Sequence, residues 1–438
     1  MEMDLKNKSQ KRRNPFKSVF DFKKEEIPVA VLMFFFFFFV IAIFQILRPL
    51  KKALFVDMYG ADVELYAKLL NIVVAGLGVV VFTLLYNKLQ RQRVIYIFCG
   101  FFIVCFIVLR YLLVDPEAVT VWAFYLIGDL ITTLLVAAFW AYLTDISDSD
   151  QAKRLYGLIG AGGVVGGWVG ISASKFVLFE KLGQGGLLFL ASVVMLAVLF
   201  ITMAVESLIS RSKVYISAPP KKEKGEKKAE GGSKFSAVIE GAKLALRSKY
   251  LAAIVGIMAF YEIGSQILNY MFSKASEVLP GVTMTTSYYI NVFFIANLVS
   301  VIVQIFLVSL IMRHFGLAVA LCILPIAAAV SSGLYAAIPS LTAASLLVIS
   351  DNGLNYSIQQ TSREALYVPT SPDEKYKARA FTNMFVQRAA KGIAIGCVFL
   401  MTAVGISVRF MGIAAIAVFV VMAFLGIFDG RRFKQMTE

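Results

Sequence analysis

The sequence predicts an all-α membrane protein of twelve transmembrane helices in two six-helix halves. Composition is the first indication. Of 438 residues, 59% are hydrophobic and only 16% charged, with a mean hydropathy of +0.77. A soluble domain carries about 25% charged residues, so the shortfall points to a surface that faces hydrocarbon. The second is length: apolar runs of about 20 residues, enough to cross a core of roughly 30 Å, recur along the whole chain. The third is one long polar interruption near the middle, at 210–249.

The elements follow in order. Residues 1–26 form a basic tail. The spans of the first half are read at 27–50, 65–87, 94–114, 119–144, 156–178 and 186–209, so that this half covers 27–209. The run from Ile27 to Leu47 is longer than a signal-peptide core. It is followed by Arg48-Pro49-Leu50-Lys51-Lys52 rather than by a small-residue cleavage site, so it reads as a retained first helix. Segment 210–249 contains Pro219-Pro220-Lys221-Lys222 and Gly231-Gly232-Ser233. It cannot bury a core and reads as a flexible linker. The second half, 250–428, has spans at 250–271, 288–312, 315–336, 340–367, 378–404 and 407–428, and 429–438 is a short basic tail.

Charge placement sets the orientation. Most of the 43 lysines and arginines fall in the two tails, the linker and the loops on the same side, such as Lys88, Arg91, Arg93, Lys153, Arg154, Arg313, Lys375, Lys377 and Arg379. The positive-inside rule puts that side, and both termini, in the cytoplasm. The net charge of +15 is then a topology signal facing anionic membrane lipid, and no nucleic-acid partner is implied. The four cysteines lie in apolar runs without a C-x-x-C pair, which speaks against a disulfide framework or a zinc site. No nucleophile–base–orienter set is visible, and neither an enzyme activity nor a cofactor is expected.

The two halves look like copies. Asp129 in the fourth span and Asp351 in the tenth are followed by matching acidic-to-basic loops, 148–154 and 373–379. Short basic loops also follow the second and eighth spans. Such a parallel repeat suits a major-facilitator-like fold with its substrate site at mid-membrane between the halves.

Polar side chains inside hydrocarbon are the candidates for chemistry, because a charge there is costly unless it faces a cavity or a partner. At helical spacing, the seventh span presents Glu262, Ser265, Gln266 and Asn269. The tenth presents Asp351, Asn355, Gln359 and Ser362 or Arg363, and the eleventh Asn383, Gln387 and Lys391 with Arg388 beside them. The fourth adds Asp129, Thr132 and Thr133, and the eighth adds Asn297, Ser300 and Gln304. Any one of these could serve only to bond one helix to the next. Together they predict a wet central cavity. Its cations, Arg363, Arg388 and Lys391, with Arg48, Lys51 and Lys52 at the far end of the first helix, stand against Asp129, Glu262 and Asp351. They suit a phosphate or carboxylate, although mutual cancellation with the carboxylates remains open. The glycine run 160–170 lacks a P-loop lysine and reads as a close helix-packing face. His314 falls in a short loop, and the phenylalanines at 34–39 read as lipid-facing bulk.

The segment Ile46-Leu47-Arg48-Pro49-Leu50-Lys51-Lys52-Ala53-Leu54 resembles the end of the first helix in the bacterial and plastid ATP/ADP translocases. So do Phe124-Tyr125-Leu126-Ile127-Gly128-Asp129-Leu130 and Gln151-Ala152-Lys153-Arg154-Leu155-Tyr156-Gly157 in the first half. In the second half the resemblance continues through Ser362-Arg363-Glu364-Ala365-Leu366-Tyr367-Val368-Pro369 and Lys377-Ala378-Arg379-Ala380. The family's acidic residues in the first-helix motif are replaced here by Pro49 and Lys52, its fourth-helix Glu by Asp129, a seventh-helix Lys by Gln266, and a Lys-Glu pair by Arg363-Glu364. The chain thus reads as a divergent member. The resemblance implies ATP/ADP exchange by alternating access, with family charge positions on Lys51, Asp129, Glu262 and Lys377, and Arg363 beside Glu364. The substrate-binding set expected is Arg48, Lys51, Asp129, Glu262, Asn355, Arg363, Lys377, Asn383, Gln387, Arg388 and Lys391. The cations would meet phosphates and the amides would orient base or ribose, in a protein acting as a monomer. The alternatives are a proton-coupled transporter of another organic anion or small peptide, and a non-transporting receptor or scaffold.

Overall fold

The structure is a computed structural model that describes residues 25–147, 149–211, 248–370, 378 and 381–437. All regular structure among them is helical. That is what hydrocarbon demands, since a helix satisfies its own backbone where no water can. The first half comprises α1 (Ile27–Lys88), α2 (Arg91–Leu112), α3 (Ala118–Ile146), α4 (Ser149–Ala173) and α5 (Phe179–Arg211). The second comprises α6 (Lys249–Ser276), α7 (Gly281–Ile302), α8 (Val308–His314), α9 (Gly316–Ala337), α10 (Leu341–Leu354), α11 (Gln360–Ala365), α12 (Gln387–Ala403) and α13 (Val408–Thr437). Single π-turns lie at Ser174–Leu178 and Thr382–Val386. Two more join α7 to α8 at Val303–Leu307 and α10 to α11 at Asn355–Gln359. The tails and most of the linker expected at 210–249 lie outside the described residues.

Eight helical stretches among the described residues are long and apolar enough to cross a membrane. Two of them fold back on themselves at a glycine: α1 at Gly60 (φ 77°) and α5 at Gly183 (φ 59°). Only glycine adopts that backbone without strain. The stretch Leu341–Ala365 is helical but less apolar, because Asp351, Asn352, Asn355, Gln359 and Arg363 interrupt it.

Two expectations need correcting. The first helix does not end near residue 50. It runs through Pro49 to the bend at Gly60, so Lys51 and Lys52 sit buried inside a helix rather than at its far end. Nor are the phenylalanines at 34–39 all lipid-facing. Phe36 is fully buried, and Phe37 stacks on Phe139 with ring centroids 4.6 Å apart, while Phe35 remains exposed. The glycine run of α4 does pack closely. A Cβ on Gly162, Gly166 or Gly170 would lie 2.3, 2.2 or 2.6 Å from the carbonyl oxygens of Phe34, Phe38 and Ala42. Thus α4 crosses α1 backbone to backbone.

Two large apolar cores result. One gathers side chains from Val29 to Ile209. The other gathers side chains from Tyr250 to Met422, with Ala53, Ala61, Leu65 and Ile171 of the first half packed into it. The polar residues displaced from both cores meet between them.

Candidate functional site

The floor of the site is set by α1. Its helix brings Arg48, Lys51 and Lys52 to one cavity of about 300 Å³, and beyond the Gly60 bend its second arm returns Glu64, Lys68 and Asn71 to the same space. That spacing, i, i+4 and i+7, is one face of a helix. Tyr125 and Asp129 enter from α3, and Met258, Tyr261, Glu262, Ser265, Gln266 and Asn269 from α6. Asn352 of α10, Asn355 and Tyr356 of the following π-turn, Arg363 of α11, and Gln387 and Lys391 of α12 complete the wall. Both halves therefore contribute. Six cations face three carboxylates, a formal excess of three positive charges.

The pairing is uneven. Lys51 is bonded to Asp129, which also accepts from Asn71. Glu64, 1% exposed, lies 3.9 Å from Lys52 and 3.4 Å from Lys68. It also accepts from Tyr125 (3.0 Å) and from Ser273 of α6 (2.7 Å). Glu262 accepts from Gln387 at 2.8 Å and lies in the field of Lys391 and Arg363. Arg48 is held over the ring of Phe293 at 4.4 Å, and Lys52 over Phe272 and Tyr289 at 5.1 and 5.5 Å. A cation resting on an aromatic face keeps its hydrogen-bonding capacity for an anion. Arg48, Arg363 and Lys391 make no ion pair with another described residue. The mutual cancellation left open by the sequence is therefore incomplete here.

A second chamber of about 280 Å³ adjoins the first through Asn71, Asp129 and Lys391, and is lined further by Ile72, Ala75, Thr132, Thr133 and Arg388. Of the expected set, Arg48, Lys51, Asp129, Glu262, Asn355, Arg363, Gln387 and Lys391 line the first cavity, and Arg388 the second. Lys377 and the side chain of Asn383 lie outside the described residues. Gln359 turns away from the cavity and is buried within the protein. Glu64, Lys68, Asn71, Tyr125 and Tyr261 were not anticipated.

Hydrogen bonds join the halves at the end marked by the Gly60 bend. Asp62 accepts from Tyr270 (2.6 Å) and Lys274 (2.8 Å), and the Ala61 amide donates to Glu277 (2.6 Å). Glu64 with Ser273 lies one layer deeper, and Gln45 reaches Asn297 at 3.3 Å near mid-chain of α1 and α7.

A sequence profile described as TLC ATP/ADP transporter matches residues 117–429, and one described as Major Facilitator Superfamily matches 2–171. The chain is 22% identical to ADP,ATP carrier protein 5 of Rickettsia prowazekii over 436 residues, spanning 83% of this chain and 84% of that protein. To ADP,ATP carrier protein 1 of Chlamydia trachomatis it is 23% identical over 339 residues, 68% of this chain and 62% of the other. Among solved structures, the POT family transporter PepTSo superposes with a TM-score of 0.60 at 11% identity over 94% of this chain and 99% of that one. The nucleoside transporter NupG superposes at 0.55 and 13% identity over 95% and 100%. At such identities the superpositions speak for the fold alone, which is that of the major facilitators. With the profile matched across residues 117–429, this chain belongs to the TLC ATP/ADP transporter family.

Proposed function

We propose that this protein is a secondary transporter that exchanges adenine nucleotides, ATP against ADP, across a bacterial inner membrane by alternating access. The observation that carries the reading is the cavity shared by both halves, with three more cations than carboxylates. Nucleotide relatives and a family profile supply the substrate class that the charges alone leave open.

In the proposed cycle the halves 27–209 and 250–428 rock about the cavity as two bodies, with the cytoplasmic linker 210–249 between them and both termini inside. Arg48, Arg363 and Lys391 offer unpaired charge to phosphate oxygens, Arg as a fork and Lys as a point. Lys51 exchanges its Asp129 partner for phosphate, so that binding replaces one ion pair with another. Asn355 and Gln387 orient ribose or base, as does Asn383 by its place in the polar stripe with Gln387 and Lys391; Arg388 extends the cationic surface into the second chamber, and Lys377 is assigned to the same surface by the family resemblance. A ligand shifts a conformational equilibrium only through unequal affinity for the two states. The cations of α1 rest on Phe272, Tyr289 and Phe293 of the other half, so an anion that draws them away acts across the interface. The functional unit is taken to be the monomer in contact with membrane lipid.

The test is uptake of radiolabelled ATP by proteoliposomes. ADP-loaded vesicles are expected to take up ATP well above empty ones, and K51A to lose most of that uptake. Equal uptake with and without internal ADP overturns exchange. Uptake that collapses with a protonophore while ignoring internal nucleotide points instead to proton-coupled import of another anion.

A further inference from the structure

A third chamber, of about 360 Å³, adjoins the other two and differs from them in character. It meets the first cavity at Arg48 and Tyr356 and the second at Thr132. Its wall is apolar and aromatic: Phe37, Ile41 and Phe44 of α1, Val164 and Trp168 of α4, and Tyr356 of the π-turn. The glycine face of α4 leaves bare backbone between them. Arg48 is its one lining cation, so it is a poor place for a phosphate chain, and the proposed cycle gives it no occupant. An apolar chamber of this size with a few placed polar groups is the usual make-up of a small-molecule site.

The placed groups are Gln45 and Asn297, one from each half. Asn297 donates its amide to the Phe293 carbonyl at 2.8 Å, which leaves its Oδ1 to face Gln45. Gln45 therefore presents Nε2 to that oxygen, at 3.3 Å. Its own Oε1 is left as a buried acceptor without a donor, and one Nε2 hydrogen remains to be given. An unpaired buried acceptor is costly, and a ligand that brings a donor removes the cost. Acceptor and donor side by side on one amide match the N6 amine and N7 of adenine, an edge that glutamine reads with two hydrogen bonds. They mismatch guanine or hypoxanthine, which carry an oxygen at position 6. The Asn297 bond keeps the amide from turning over to suit that oxygen.

The order along α1 agrees. Ile41, Gln45, Arg48 and Lys52 stand at i, i+4, i+7 and i+11, one face of a helix. Over about 16 Å of axis they pass from apolar wall to amide to cations, the order of base and phosphates in a nucleotide. We infer that the third chamber is the nucleobase subsite and that Gln45, oriented by Asn297, selects adenine; this rests on the cavity's occupant being a nucleotide. The phosphates stay with Arg48, Lys51, Arg363 and Lys391, and the ribose falls to Asn355 and Gln387. The base then touches both halves, as the phosphates do. A lipid acyl chain would also fill an apolar chamber, but it would leave the Gln45 amide unpaired.

The experiment measures competition against radiolabelled ATP in ADP-loaded proteoliposomes of the full-length protein. The unlabelled competitors are ATP, ITP, whose base is hypoxanthine, and inorganic tripolyphosphate, which has no base. Native protein is expected to take ATP about tenfold more tightly than ITP, the worth of one such base contact. Q45L should bring the two level by weakening ATP, while tripolyphosphate competes as before. N297A lets the Gln45 amide turn over, so it should narrow the gap by improving ITP. A merely structural role for either residue would weaken all three competitors together. Should neither variant fold, the ATP-to-ITP ratio of the native protein decides. Native protein that takes ATP and ITP equally overturns the inference. A Q45L protein that keeps the native ratio overturns the assignment to Gln45 and leaves the chamber to lipid. Absence of exchange with any nucleotide is a different failure, that of the nucleotide reading, and takes the subsite with it.

Discussion

Glu64 sits where four groups converge: Lys52, Lys68, the Tyr125 hydroxyl and the Ser273 hydroxyl of the other half. Replacing it by glutamine leaves Lys52 and Lys68 as buried charges without a counter-ion. Removing one partner of a buried pair destabilises by about 3–5 kcal/mol, so E64Q should fall markedly in thermal unfolding of the detergent-purified protein. Asp129 differs, because its side chain is 29% exposed to the cavity. D129N leaves Lys51, whose side chain is 6% exposed, without its carboxylate partner until a phosphate takes that place. Its KM for ATP should drop by up to about fivefold, the equivalent of ~1 kcal/mol for a partly exposed pair. Turnover should slow as well, since nothing displaces the product; an unchanged KM with unchanged turnover would count against the exchange of partners. Lys51 and Asp129 were legible through the family motifs that contain them. Glu64, Lys68 and Asn71 were hidden by a boundary: with the second span begun at 65, Glu64 fell outside it, although their i, i+4, i+7 spacing is the very criterion that located the other stripes.

At the scale of elements, glycine content and helical period had different fortunes. The run in α4 was readable as a packing face because small residues four apart allow backbones to approach, and Gly162, Gly166 and Gly170 do meet the α1 backbone. This face yields a position-specific prediction. At Gly166 a Cβ would meet the Phe38 carbonyl at 2.2 Å, and backbone cannot swing aside, so G166A should destabilise by about 1–3 kcal/mol. At Gly160 the nearest atom is Trp140 at 4.0 Å, and G160A should leave the unfolding midpoint where it is or raise it slightly. Equal behaviour of the two variants in the same thermal assay would remove the close crossing. Period alone misled in the tenth span. Asp351, Asn355 and Gln359 share a face at 3.6 residues per turn, but the π-turn Asn355–Gln359 inserts extra rotation. Asn355 and Arg363 therefore reach the cavity while Gln359 is carried into the protein. No composition signal marks a π-turn, which explains why the stripe looked continuous.

For the whole molecule, the fold class followed from composition and span length, and the cavity from polar residues that recur in both halves. Which end of that cavity is tied shut was not readable, because it depends on contacts between α1 and α6 more than 200 residues apart in sequence. The tie is layered. Lys274 with Asp62 is solvent-exposed and contributes little. The Ala61 amide bonded to the Glu277 carboxylate at 2.6 Å is charge-assisted and worth about 1 kcal/mol more than a neutral bond. Below it, Glu64 with Ser273 and the cations of α1 on Phe272, Tyr289 and Phe293 continue the closure into the cavity. In the proposed orientation, with both termini inside, the Gly60 bend belongs to the outer face, and alternating access requires this whole stack to part. Weakening only the outermost layer should therefore shift the resting equilibrium without touching the substrate site. E277Q substitutes a neutral acceptor, and ~1 kcal/mol corresponds to about a fivefold change in population. In a cysteine-free background carrying a single cysteine at Gln266, labelling by a membrane-impermeant maleimide from outside should quicken by about that factor in E277Q. ATP affinity measured at equilibrium should shift by no more than the same factor, because the altered carboxylate lies outside the cavity. An unaltered labelling rate would mean that closure resides in the deeper aromatic layer, where the cations that receive phosphate are themselves the latch.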